Sequence, residues 1–190
     1  MTDWSPELAL LREAGAALEP GLSSAELSAA ERVVGAAFPP DLAEFLQIAL
    51  PVGAQYPNWR APDTPEIAQA LAWPFDGVAF DIEHDVFWWP AWGERPSQLA
   101  DALAVAKRHI AAAPRLIPVF GHRYVPASPR ESGNPVFSVY QTDVIYYGRN
   151  LSDYWARECR KIALREIQES ELRHVPLWSE LVQANNTHGG

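Results

Sequence analysis

Three carboxylates alternate along the chain at Asp81, Glu83 and Asp85, with His84 between the last two. An extended backbone would turn all three to one side and His84 to the other. That arrangement suits a hard cation, a contact with a basic protein surface, or a solvated turn between two strands. Directly downstream, Phe87-Trp88-Trp89-Pro90-Ala91-Trp92-Gly93 concentrates aromatic side chains. Trp88 and Trp89, adjacent in an extended segment, must face opposite ways, so one of them is available as a partner anchor while the other packs. A third cluster, His122-Arg123-Tyr124 after Gly121, could form a polar pocket or a strand end bonded to loop carbonyls. The candidate partner-binding residues are therefore Asp81, Glu83, Asp85, Trp88, Trp89, Trp92, His122 and Arg123. Arg95 and Arg123 have a second reading as ion-pair partners of the surplus carboxylates.

Catalytic chemistry finds little support. His84, His109, His122, His174 and His188 include no pair at helical or strand spacing for a metal. Ser138 is not set in the Gly-x-Ser-x-Gly turn of a serine nucleophile, and Gly15, Gly21 and Gly35 form no phosphate loop. Cys159, the single cysteine, excludes a disulfide framework and reads as a small core residue. No catalytic, cofactor-binding or metal-ligating residue is expected. A metal-assisted hydrolase using Asp81, Glu83 or Asp85 with His122 is the weaker enzymatic alternative.

The elements that must position these residues follow from periodicity. Ser23 and Glu26 have capping-box spacing ahead of Leu27, Ala30, Val33 and Val34, with Gly35 as the stop. Pro39-Pro40-Asp41 opens a second helix carrying Leu42, Phe45, Leu46 and Ala49. Residues 51–63 read as a loop pinned by Tyr56 and Trp59, and Thr64-Pro65-Glu66 as another helix cap. Gly77–Ile82 alternates in the strand manner and, with Val86–Trp89, predicts a first hairpin. A helix over residues 96–113 ends at Pro114, and Leu116–Phe120 is a strand with Pro118 at an edge or bulge. Val136–Tyr140 and Val144–Tyr147, joined by Gln141-Thr142-Asp143, form a hairpin apolar on both faces, which belongs inside a sheet. Gly148 releases it, Asn150 caps the next helix, and Leu151, Tyr154, Trp155, Cys159 and Ile162 are that helix's buried stripe.

The order of elements is α+β: a single domain with a mixed, mostly antiparallel sheet and helices packed on it. Residues 1–22 read as an N-terminal helical extension, 23–182 as the domain, and 183–190 as a disordered tail. The formal net charge of −9 disfavours direct nucleic-acid binding and favours basic partners. Neither a leader nor an apolar run approaching roughly 18 residues is present, so a cytoplasmic protein without membrane insertion is expected.

Between Ser23 and Glu158 the chain resembles the Smi/Knr-like family of the SUKH superfamily, which includes a yeast cell-wall-synthesis regulator and many bacterial toxin-immunity proteins. The resemblance is carried by Glu31, Phe38-Pro39-Pro40-Asp41-Leu42, Phe45-Leu46, Gly77-Val78, Phe80-Asp81 and Ile117-Pro118-Val119-Phe120-Gly121. It continues through Pro135-Val136-Phe137-Ser138-Val139, Tyr146-Tyr147-Gly148 and Leu151, and the tryptophan-rich Phe87–Gly93 looks like a bacterial branch. The resemblance implies a non-catalytic protein-binding scaffold that needs no cofactor and neutralises a cognate toxin, often a nuclease. Its partner would be a basic toxin domain. A regulatory or adaptor scaffold binding a cellular protein is the alternative.

Overall fold

The computed structural model describes residues 2–160, 167 and 169–188. Its centre is an antiparallel four-stranded meander, β3 (Leu116–Phe120), β4 (Arg123–Pro126), β5 (Val136–Tyr140) and β6 (Asp143–Gly148), in that spatial order. Pro118 sits in the edge strand β3 beside a register shift, where a missing N–H costs no ladder bond. The hairpin β5–β6 pairs Tyr140 with Asp143 across its turn.

Both faces of the sheet are covered, as its apolar residues on both sides require. One face, with Ile117, Val119, Val125 and Val136, packs on four helices: α1 (Ser5–Glu13), α2 (Ser24–Val34), α3 (Pro40–Ile48) and α6 (Leu151–Arg160). Phe45 of α3 meets Trp4 edge-on at 5.3 Å and stacks on Trp155 of α6 at 5.5 Å. The opposite face, with Tyr124, Phe137, Val139, Val144 and Tyr146, receives α7 (Trp178–His188). A smaller apolar cluster joins α4 (Pro65–Glu83) to α5 (Leu99–Ala112) through Val78, Ile82, Ala102 and Ala106.

Local signals set most of the helix ends. The Ser23 N–H donates to Glu26 Oε2 at 2.7 Å and the Glu26 N–H to Ser23 Oγ at 3.3 Å, a reciprocal capping box. Gly35 closes α2 with φ 75°, a left-handed conformation that favours glycine. Asn150 caps α6 by accepting from the Asp153 N–H at 2.9 Å. Trp59 is buried against Phe38 at 5.2 Å, pinning the loop of residues 53–63. Cys159 is half-buried against the core, and burial raises its thiol pKa.

Four sequence expectations need correction or restriction. Gly77–Ile82 is not a strand: it is the second half of the long helix α4, and Val86–Trp89 leads into a single 3-10 turn at Pro90–Trp92. Residues 1–22 are no appendage, since α1 places Leu8 and Leu11 in the main core and Ala17–Pro20 (β1) pairs antiparallel with Ala49–Val52 (β2). The stretch from 183 is not a disordered tail: α7 continues to His188, held where the Asn185 amide donates to Thr142 O at 2.9 Å and Val144 O at 3.2 Å. Ile162, and residues 189 and 190, lie outside the described residues. Among the described residues no helix is long and apolar enough to cross a membrane.

Candidate functional site

Helix α4 is the element on which the site is built, and its interior contains two residues that ordinarily interrupt helices. Pro74 has no N–H for Ala70 O, a loss that with ring crowding costs about 3 kcal/mol or more in an isolated helix. Here the Tyr124 hydroxyl donates to that same carbonyl at 2.9 Å. Gly77 lies against the turn of the β5–β6 hairpin, where a Cβ would sit 2.7 Å from Gln141 Cα. Between Ala70 and Gly77, the Trp73 indole N–H donates to Val139 O at 3.0 Å. Near the end of the helix, Asp81 Oδ2 accepts from the Thr142 N–H at 3.0 Å and the Thr142 hydroxyl at 2.6 Å. Ala70, Trp73, Gly77 and Asp81 recur at helical spacing, so one edge of α4 is stitched to the sheet along its length.

The adjoining arc of the helix stays open. Glu66, Gln69, Trp73, Asp76, Phe80 and Glu83 repeat at alternating intervals of three and four, which places them on one face. Phe80 remains 46% exposed and packs on His84 with ring centroids 4.0 Å apart. At the N-terminal half of this face a cleft of about 670 Å³ separates α4 from the loop 53–58 and the β3–β4 turn. The loop is tethered to the turn by the Gly121 N–H, which donates to Gln55 O at 2.8 Å, and by Tyr56 against Phe120 at 4.7 Å. Tyr140, 54% exposed, stands between Trp73 at 5.9 Å and His122 at 6.1 Å, so three elements contribute one row of rings. Burial, then the neighbouring Arg123 guanidinium, holds the His122 pKa below its ordinary value. Burial, then Cys159 and Glu158, pushes the Tyr56 phenol up to about 12.

The residues expected from sequence to act together are dispersed. Asp81 is 6% exposed and committed to Thr142, while Glu83 lies on the open face of α4. Asp85, at φ 58°, turns the chain out of the helix and is bonded to Arg95, whose other nitrogen donates to Ile82 O at 2.9 Å. The common side expected for the three carboxylates required a strand, and a helix separates successive residues by 100°. Among the described residues no three His, Cys, Asp or Glu side chains gather as metal ligands do.

Trp88, Trp89 and Trp92 are half-buried in a local aromatic knot: Phe87 contacts Trp89 at 6.3 Å and Trp92 at 5.8 Å, Trp88 meets Trp92 edge-on at 5.5 Å, and Trp92 stacks on His109. The Trp88 indole donates to Gly93 O at 2.8 Å. His122 lines the cleft. Its neighbour Arg123 turns away, lying 3.8 Å from the Tyr147 ring centroid, donating to Ser138 Oγ at 3.0 Å and pairing with Glu158 at 3.7 Å. Arg95 and Arg123 thus take the structural ion-pair role that their charge suggested.

Trp73, Phe80, Tyr140, Glu66 and Asp76 were not among the candidate partner-binding residues read from the sequence. The signal for the helical ones was a three–four spacing from Glu66 to Glu83, which the strand reading of Gly77–Ile82 cut in half. No protein-family model, curated protein or solved structure matches this chain.

Proposed function

We propose that this chain is a non-catalytic protein-binding domain of the toxin-immunity type, which occludes a basic partner domain in the cytoplasm. The observation that carries the proposal is the open face of α4. Partly exposed rings at Trp73 and Phe80 alternate with Glu66, Asp76 and Glu83 on a helix fastened to the sheet, and Tyr140 extends the row sideways. Aromatic anchors with flanking charge, presented on a rigid element, are what an interface needs to bind without a large ordering cost. The net charge of −9 steers a basic domain toward such a face and disfavours a phosphate backbone. The resemblance to SUKH immunity proteins supports the same reading. The divergence of Asp81, Glu83 and Asp85 removes the geometry that motivated a metal-assisted hydrolase.

Co-expression with the toxin encoded beside this chain is expected to rescue growth, and the two proteins to co-purify. Phe80→Ala with Asp76→Lys and Glu83→Lys should weaken the complex while leaving the fold intact. If no neighbouring toxin is bound or neutralised, the immunity reading is wrong. Capture of an endogenous regulatory protein in its place would favour an adaptor.

A further inference from the structure

The cleft beside α4 is rich in π-surface and acceptors and poor in free cations. Among the described residues Glu66 is the only acidic one in the lining, and neither lysine nor arginine lines the cleft. The two arginines nearest in sequence are committed elsewhere. Arg60 pairs with Glu26 at 2.6 Å and Glu19 at 3.6 Å, and Arg123 with Glu158 at 3.7 Å. Burial, then Arg123, lowers the His122 pKa and favours its neutral ring, so the row Trp73, Tyr140 and His122 adds little positive charge. Two of the aromatic walls also withhold their donors from any ligand. The Trp73 N–H is spent on Val139 O and the Tyr124 hydroxyl on Ala70 O, inside the fold. An anion would therefore find only uncharged donors and one repelling carboxylate, whereas an ammonium or guanidinium would meet ring quadrupoles and a counter-charge.

Dimensions add to the chemistry. A volume of about 670 Å³ is within the roughly 300–1,000 Å³ that accommodates a drug-sized ligand or a short peptide stretch. Glu66 and Trp73 are separated by about two helical turns, a span that about three extended residues cover. Gln55, Asn58 and Gln69 along the lining supply side-chain amides for a peptide backbone.

We infer that the cleft receives an extended basic segment of the protein partner, with one lysine or arginine side chain against Trp73 and Tyr140 and Glu66 as counter-charge for its neighbour. This deepens the protein-binding reading above and rests on it. The basic partner docks by a chain segment in the cleft as well as by a surface on α4.

The test uses the whole chain and three fluorescein-labelled heptapeptides, in which glycine alternates with arginine, with glutamate or with proline, read by fluorescence anisotropy. The arginine peptide is expected to bind at least about tenfold tighter than either of the others. Tyr140→Ser, at an exposed position that leaves folding intact, should weaken it by roughly 2- to 30-fold, the span of cation–π contacts. Tyr140→Phe should retain binding, and Glu66→Gln should weaken it and flatten its salt dependence. Val33→Ser, an exposed position on α2 outside the cleft, should leave peptide binding unchanged. Arginine-peptide binding that survives both Tyr140→Ser and Glu66→Gln would be diffuse attraction to an acidic protein, and would overturn the inference. So would equal affinity for the proline peptide. If no peptide binds yet the toxin still co-purifies, the cleft assignment fails and the protein-binding reading stands; if neither binds, both fail.

Discussion

Phe87, Trp88, Trp89 and Trp92 lie within one short turn and contact one another, with Trp92 stacked on His109 of α5. Trp73, Tyr140 and His122 come instead from a helix, a strand and a turn, and meet only side by side along one wall of a cleft. Rings close in sequence find each other at little loop-closure cost and use up their surface internally. Rings held by separate elements are fixed by what those elements do elsewhere, and part of their surface stays open to solvent. Density of aromatic residues in a sequence is thus a poor guide to where open aromatic surface lies. Convergence from distant segments is the better one.

That contrast can be broken by experiment. Trp92→Ala should carry the largest effect, a loss of about 2–3 kcal/mol in denaturant-induced unfolding, below the range for a fully buried aromatic because Trp92 is half-buried. A negligible loss would mean that the turn is not internal packing. Gly77→Ala tests how α4 is seated. Helix propensity alone would add about 1 kcal/mol, whereas a Cβ 2.7 Å from Gln141 Cα should remove about 1–3 kcal/mol. The sign of the shift in melting temperature decides. Asp81→Ala leaves the Thr142 N–H and hydroxyl without their acceptor and should cost about 1–2 kcal/mol. Glu83→Lys, two residues on but exposed, should stay within about 0.5 kcal/mol of the parent. Equal costs at 81 and 83 would restore the view of the carboxylates as one cluster.

Tyr140→Ser should likewise leave stability within about 0.5 kcal/mol, so any loss of binding there is a loss of contact. The smallest expected effect is at His122. Because its folded pKa is depressed, the unfolded chain binds the extra proton first, and stability declines as pH falls from about 6.5 through that lower value. Melting temperatures measured between pH 5 and 7 should fall less for His122→Gln than for the parent.

Much of the fold was legible because its signals are local. The capping box at Ser23 and Glu26, the stop at Gly35 and the prolines opening α3 act within one turn, and the two apolar faces of β5 and β6 required a covered sheet. The second half of α4 was not legible. Pro74 and Gly77 each argue against a helix, and what overrides them comes from Tyr124 and Gln141, far along the chain. The short pair β1–β2 was hidden for a similar reason, since Pro20 fell in the stretch read as a helical extension and Pro51 in one read as loop, yet both sit in a two-stranded ribbon with open edges. The polar end of α7 looked like a tail until Asn185 found carbonyls on the hairpin. Of the cleft, His122 was visible as part of a polar cluster, but its ring neighbours depended on tertiary contacts that no window of sequence contains.

Fastening α4 along one edge has an evolutionary consequence. Ala70, Trp73, Gly77 and Asp81 are constrained by the sheet, whereas Glu66, Gln69, Asp76, Phe80 and Glu83 touch mainly solvent and can be exchanged at almost no cost to folding. A lineage of such chains can vary one strip of helix by substitution, with the scaffold beneath unaltered.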